Sequence, residues 1–320
     1  MRKIILIFYA FVICTGAFSQ QERQVSHYMY DLVSVNPGSS GSSDQISAHA
    51  IMRQQWVGID GAPVEFVLNL SAPFKLFKAN HGAGLSIWKD QLGFNNDINL
   101  SVNYAYQFSV GNGRLGLGIS GSFDNQKLDN PEWVIPTSPI HDPTNDNAIP
   151  TGSQNEFIFD LGAGLFYRTE ELYVGISATH LMEDEFVYQN EGTSTSSSSM
   201  KMYRHYYLTA GYDIQMANPA FELLPSVFIQ SDSKMTRVDL NTTLMYNKKF
   251  WGGVTYRVGS AIVGMIGLEI MNGIKVGYSY DFDTSDLARF SKGSHEIMIG
   301  YDFTVGLDKI AQKYKSIRFL

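Results

Sequence analysis

Ile98-Asn99-Leu100-Ser101-Val102-Asn103-Tyr104-Ala105-Tyr106-Gln107-Phe108-Ser109-Val110 alternates without a break. Ile98, Leu100, Val102, Tyr104, Tyr106, Phe108 and Val110 form an apolar face, and Asn99, Ser101, Asn103, Ala105, Gln107 and Ser109 form a polar or small one. A period of two marks a strand with one face in an apolar medium. Its length of about a dozen residues exceeds the usual globular strand of about 5 or 6 and matches what a tilted strand needs to cross a bilayer. The chain is therefore read as all-β, a transmembrane antiparallel outer-membrane β-barrel.

The start of the chain supplies a matching address. Met1-Arg2-Lys3 is a charged start, Ile4 to Ile13 an apolar core and Ala17-Phe18-Ser19 a small-x-small cleavage site, the three parts of a signal peptide. Residues 1–19 are expected to be removed, leaving Gln20 as the mature start. A membrane anchor fits less well, because the apolar run is too short to span and polar sequence follows at once. Lipoprotein processing at Cys14 is disfavoured by Phe11-Val12-Ile13, which puts no small residue before the cysteine. Cys14 is the only cysteine. Its removal leaves no thiol for disulfides, thiolate metal ligation or nucleophilic catalysis.

Nothing after Ser19 offers an uninterrupted apolar run of about 18 residues, so helices cannot carry the chain across a membrane. A closed barrel is the remaining solution, since all its backbone N–H and C=O groups pair within the sheet. The content of 44% hydrophobic and 13% aromatic residues suits lipid-facing positions that alternate with water-facing ones. Without Arg2 and Lys3 the chain carries 22 basic against 31 acidic residues, a formal charge of −9, which argues against nucleic acid as a partner.

Alternation and turn chemistry predict about fourteen strands, near 46–58, 64–74, 81–90, 96–110, 113–124, 155–168, 171–181, 201–215, 220–231, 235–247, 249–258, 260–271, 273–283 and 294–305. Residues 20–45 are expected to form a periplasmic or lumen-inserted segment, 46–305 the barrel and 306–320 a periplasmic tail. Even-numbered connections are nearly all tight, as at Gly111-Asn112-Gly113 and Asn272-Gly273, while the longest, Asn125–Asn155, Met182–Met200 and Thr284–Gly293, are odd-numbered. Short periplasmic turns and long outer loops then place both termini in the periplasm. The prolines of Asn125–Asn155 suggest an ordered loop over the mouth, and Thr193–Ser199 is Ser/Thr low complexity expected to be mobile.

Motifs for chemistry are weak. Gly116-x-Gly118-x-x-Gly121 interleaves with Leu115, Leu117 and Ile119 as a strand, so it reads as small lumen-facing residues, not a phosphate loop, which needs a turn into a helix. Asp142, Asn145, Asp146 and Asn147 miss calcium-loop spacing. His141, His180, His205 and His295 are scattered, without zinc-helix spacing, and no G-x-S-x-G elbow exists. No catalytic, cofactor-binding or metal site is expected, and the chain is not read as an enzyme. Tyr104, Tyr106, Trp251, Tyr278 and Tyr280 lie toward strand ends and read as an interfacial girdle.

Arg53-Gln54-Gln55-Trp56-Val57-Gly58-Ile59-Asp60-Gly61-Ala62-Pro63 is unlike ordinary barrel sequence and resembles the signature of the PorP/SprF family of the type IX secretion system. Asn36-Pro37-Gly38-Ser39-Ser40-Gly41-Ser42 precedes it where the family has an Asn-Pro segment. Matching stretches continue through Gly84-Leu85-Ser86-Ile87, Arg204 to Tyr212, Gly277 to Phe282, Thr284 to Leu287 and Gly293 to Ile297. Ser316-Ile317-Arg318-Phe319-Leu320 resembles the usual Ser-Pro-Arg-aromatic ending, with Ile317 in place of the proline. The resemblance implies an outer-membrane component linked to gliding motility. Its expected partners are type IX secretion components, a secreted or surface-attached client protein and outer-membrane lipid.

The signature also has a physical reading. Arg53, Gln55 and Val57 share one strand face, and Gln54, Trp56 and Gly58 the other. An arginine facing lipid at mid-membrane costs about 2–4 kcal/mol, so Arg53 is expected in the lumen, where a carboxylate partner would let it brace the barrel or hold a plug. Structural bracing outweighs client binding. Arg53, Gln54, Gln55, Trp56 and Gly58 are the candidate structural or docking residues. The leading function is a non-enzymatic secretion barrel that docks proteins; the alternatives are a channel for small or hydrophobic solutes and a barrel-embedded hydrolase.

Overall fold

A fourteen-strand antiparallel barrel accounts for most of the chain in the computed structural model, which describes residues 23–129, 152–189, 197–271 and 273–303. The first seven strands are β1 (Ile46–Gln54), β2 (Val64–Leu76), β3 (Ala79–Leu92), β4 (Asn95–Val110), β5 (Gly113–Leu128), β6 (Gln154–Arg168) and β7 (Leu172–Thr179). A separate hairpin follows, β8 (Glu185–Gln189) with β9 (Ser197–Lys201). The wall resumes with β10 (His205–Tyr212), its two-residue continuation β11 (Ile214–Gln215), β12 (Phe221–Ser231) and β13 (Thr236–Tyr246). It ends with β14 (Phe250–Arg257), β15 (Ala261–Met271), β16 (Ile274–Asp283) and β17 (Ser294–Phe303). Each wall strand pairs with its sequence neighbours, β7 meets β10, and β1 meets β17, so the wall closes on itself. Closure satisfies the backbone that lipid cannot. Among the described residues no helix is long and apolar enough to cross a membrane.

The β4 alternation holds through its length: Val102 is 57% exposed and Ala105 fully buried, with Asn99, Ser101, Asn103 and Gln107 also inside. Over the whole wall the usual order of a soluble protein is inverted, with large apolar side chains outside and Asn, Ser, Asp, Glu and Arg inside. Phe77 and Lys78 make a two-residue turn, both at positive φ (48° and 66°), as the twist of a hairpin requires. That turn shares one barrel end with those at 111–112, 169–171 and 247–249. Segments 55–63 and 284–293 lie at the other end, where β5 and β7 end and β6 and β10 begin.

Several sequence expectations need correction. The first strand ends at Gln54, not at 58, because Trp56 (φ 49°) and Gly58 (φ 99°) turn the chain, so Val57 and Gly58 have no strand faces. The stretch predicted at 201–215 is divided: Lys201 belongs to β9 and the wall strand starts at His205. Ser197–Ser199, expected to be mobile, pair with Val187–Gln189. Trp251 is not girdle: it is 7% exposed and packs inside with Val25, Ile51, Val67 and Met298. Gly267 on the adjacent strand makes room, since a Cβ there would stand 2.1 Å from the indole ring. Tyr104, Tyr106 and Tyr278 do face outward. The proline-rich loop, its Asp/Asn cluster and His141 lie outside the described residues, as do residues 1–22 and 304–320 and with them the expected cleavage site and placement of the termini.

Residues 23–42 run inside the barrel from its long-loop half to its tight-turn end. Gln24 N–H donates to Glu65 near the start of β2, the Asn36 side-chain amide donates to Leu165 and Ile176 carbonyls, and Asp44 reaches Arg114 near the turn end. Gln107 donates to the Gly38 and Ser40 carbonyls, Asn103 to Val33 and Ser177 to Val35, so wall side chains replace water for this backbone. Asn36 caps its own turn through Gly38 N–H. The wall approaches closely only because it lacks side chains there. A Cβ on Gly82 would stand 1.8 Å from Ser40 O, and one on Gly118 2.1 Å from Gly38 N. Gly116 and Gly118 thus face the lumen as the strand reading expects, whereas Gly121 points outward against Phe159.

Gly118→Val keeps a good strand former but fills the place of the Gly38 backbone. The barrel should still fold, with residues 24–27 held in the charge network, while residues 36–45 become cleavable by protease and ion conductance rises. Retained protection of that segment would contradict the close approach.

Candidate functional site

Charge gathers where the N-terminal segment meets β1, β13, β14, β16 and β17. Each contributing side chain sits on the inward parity of its strand: Arg53 on β1, Arg237 and Asp239 on β13, Arg257 on β14, Asp281 on β16 and Glu296 on β17. All six are at least nine-tenths buried, and Asp239, Asp281 and Glu296 have no exposed surface. Register sets two contacts directly, because Arg53 lies opposite Glu296 and Asp239 opposite Arg257.

Arg53 donates from Nη2 to Asp281 at 2.9 Å and from Nη1 to Ser26 Oγ at 3.0 Å and Glu296 at 3.4 Å. Arg257 bridges Asp281 (2.7 Å) and Asp239 (3.2 Å). Arg237 closes on Asp239 from Nε at 3.1 Å and gives Nη2 to the Val25 carbonyl at 2.8 Å. Glu296 accepts the backbone N–H groups of Ser26 and His27 and the His27 ring Nδ1, each at 2.7 Å. Ser26 Oγ donates to Asp281 at 3.0 Å and accepts from Arg257 at 3.2 Å. Three guanidinium groups thus face three carboxylates, with residues 24–27 threaded through them.

A second lock lies deeper. Asp31 accepts from Arg23 at 3.0 Å, from Asn69 at 2.6 Å and from Ser34. Tyr28 stacks on Phe228 with ring centroids 5.1 Å apart, and its hydroxyl meets Ser226 at 2.7 Å. Burying ion pairs costs desolvation energy comparable to what their attraction returns, so the network is a poor source of net stability. It is a strong source of position. Moving residues 24–27 would strand buried charges, and breaking one partner of such a pair costs about 3–5 kcal/mol.

The signature residues divide between two tasks. Arg53 enters the charge network, while Gln54 points outward and is exposed. Gln55 is buried and its N–H donates to Pro63 O at 2.9 Å, closing the base of the 55–63 loop. Trp56 is half-buried, with its N–H on Ser294 Oγ at 3.1 Å. Val57 exchanges backbone hydrogen bonds with Gly293 (2.9 Å) and Lys292 (2.8 Å). Gly58 is exposed in the left-handed region beside the Lys292 side chain. The segment from Gln55 onward is therefore a clasp tying the first long loop to the last.

Sequence reasoning found Arg53 and missed its partners. Asp239, Asp281 and Glu296 each lie on the strand parity opposite the outward apolar face, a signal for the lumen but not for which charge meets which. It also treated the histidines as scattered, yet His180 and His205 rings lie 5.8 Å apart, with His180 Nδ1 on Asp160 at 2.8 Å. His295 hydrogen-bonds the Tyr278 hydroxyl at 2.7 Å. Among the described residues no group of three His, Cys, Asp or Glu side chains is placed to hold a metal.

Wall and lumen together define an outer-membrane β-barrel filled by its own N-terminal segment. The sequence pattern of the type IX secretion system membrane protein PorP/SprF matches residues 17–301, and the chain belongs to that family. It is accordingly a membrane component of the type IX secretion system, and family and fold point to a non-enzymatic role. No curated protein matches the sequence. Among solved structures the monoaromatic hydrocarbon channel CymD is similar at 12% identity and a TM-score of 0.50, over 91% of this chain and 95% of that one. The Ralstonia pickettii toluene transporter TbuX is similar at 10% identity and 0.48, over 85% and 93%. The Acinetobacter baumannii outer membrane protein Omp33 is similar at 10% identity and 0.45, over 83% and 100%. At such identities the likeness is one of fold alone.

Arg53→Leu should destabilise the barrel by about 3–5 kcal/mol, because Asp281 and Glu296 are left undercompensated. Arg53→Lys should recover only part, since one ammonium lacks the planar fork that spans both carboxylates. Urea titration of the band shift between folded and unfolded forms on gels measures both.

Proposed function

We propose that this barrel docks proteins for type IX secretion, holding a secreted or surface-attached client, the periplasmic machinery or both, and does not conduct solutes. The observation that carries this reading is the occupied lumen: residues 23–42 are bonded to the wall along its depth, and wall glycines admit their backbone. A barrel filled this way is a scaffold. Binding then falls to large surfaces at its ends, among them the clasped loops 55–63 and 284–293 at the long-loop end. Long loops are assigned to the cell exterior and tight turns to the periplasm, with residues 1–19 as the cleaved leader. Phe303 then lies at the periplasmic end, and Arg23 in the outer half of the lumen.

Deleting the gene together with its close paralogues should leave small-solute uptake intact while a secreted or surface-attached protein is lost or retained in the periplasm. Normal secretion with an uptake defect would replace this reading with the channel. For orientation, Ala288→Cys should react with an impermeant maleimide on intact cells and Asn112→Cys should not. The reverse pattern would invert the barrel.

A further inference from the structure

The N-terminal segment does not fill the tight-turn end evenly. Toward that end it lies against the β3–β7 wall, where Gly38 meets Gly116 and Gly164 and Ser40 meets Gly82. The opposite side keeps a cavity of about 190 Å³. Met29 and Tyr30 of the segment, with Met245, Trp251 and Met265 of the wall, give it an aromatic and thioether lining. An apolar cavity of about 150 Å³ takes one benzene ring, so this one suits a single aromatic side chain.

Its outer end is acidic. Glu170, Glu171 and Asp213 stand there with Arg168 as the sole cation among the lining residues. The fit is to a positively charged partner, not to an anion.

A segment of that kind begins at the same end of the barrel. Beyond Phe303, the last described residue of β17, residues 304–320 carry Lys309, Lys313, Lys315 and Arg318 against a single acid, Asp308, with Tyr314 between two lysines. Tyr314 lies eleven residues past Phe303. That length spans up to about 36 Å when extended. From β17 to β13 is four strand spacings, about 19 Å along the wall.

We propose that the cavity is a receptor for one aromatic side chain on a basic segment, and that its occupant is this chain's own residues 304–320, with the Tyr314 ring inserted and Lys313 and Lys315 over Glu170, Glu171 and Asp213. The occupied cavity completes the filling of the lumen at the tight-turn end, whichever side of the membrane that end faces.

A benzophenone amino acid in place of Tyr314, in the full mature protein in lipid nanodiscs, should crosslink on illumination within its own chain to Met29, Met245 or Met265. Crosslinks confined to the outer wall or to another polypeptide, or none, would overturn the proposal. A chemical readout that leaves the ring in place complements it. With Met245→Cys in a chain lacking Cys14, the thiol should react slowly with a small maleimide, faster at high salt, and much faster with Tyr314→Ser added, while Tyr314→Phe restores the slow rate. Equal rates in all three chains would equally defeat it.

Discussion

Asp281 and Glu296 cannot stand alone where they are. Both are fully enclosed, far from bulk water, and an unpaired carboxylate in such a place is untenable. Arg53 and Arg257 neutralise them from the wall, and Ser26 and His27 supply the remaining donors. The filled lumen depends on this shared requirement: the wall carries buried carboxylates whose hydrogen bonds the N-terminal segment completes, and the segment carries backbone donors that those carboxylates satisfy. Neither half is satisfied without the other.

Glycine placement follows from the same constraint. A barrel that must hold its own chain against the wall needs strand positions without side chains, and Gly82, Gly116, Gly118 and Gly164 provide a path from Asn36 to Gly41. These residues weaken the strands locally, since they pack no side chain. The loss is offset by the hydrogen bonds that Gln107, Asn103 and Ser177 give to the inserted backbone. Sheet, plug and polar lining therefore form one unit.

The fold was legible in the sequence because a two-residue period reports which medium each face meets, and β4 reads almost as clearly in the chain as in the barrel. Each of the fourteen wall strands overlaps a stretch where alternation puts one, with the first ending early at Gln54 and the eighth starting late at His205. Legibility failed where backbone conformation breaks the period, as at Trp56 and Gly58, and where a neighbouring glycine leaves room for a large ring on the inward face, as Gly267 does for Trp251. The lumenal destination of Arg53 followed from the cost of lipid exposure. Its partners did not, because Asp281 and Glu296 are more than two hundred residues away and meet Arg53 only through closure of β1 on β17. The Asn-Pro-Gly segment gave a turn signal but no sign that its glycine would rest on the glycines of β5.

Amide hydrogen exchange of the full mature protein in lipid nanodiscs, resolved to peptides covering residues 24–41, tests the filled lumen most directly. Those amides should exchange as slowly as the strands that hold them, and should be released only when the barrel itself opens. Exchange of this stretch at the rate of an exposed loop, with the strands still protected, would show that the lumen is not occupied as described.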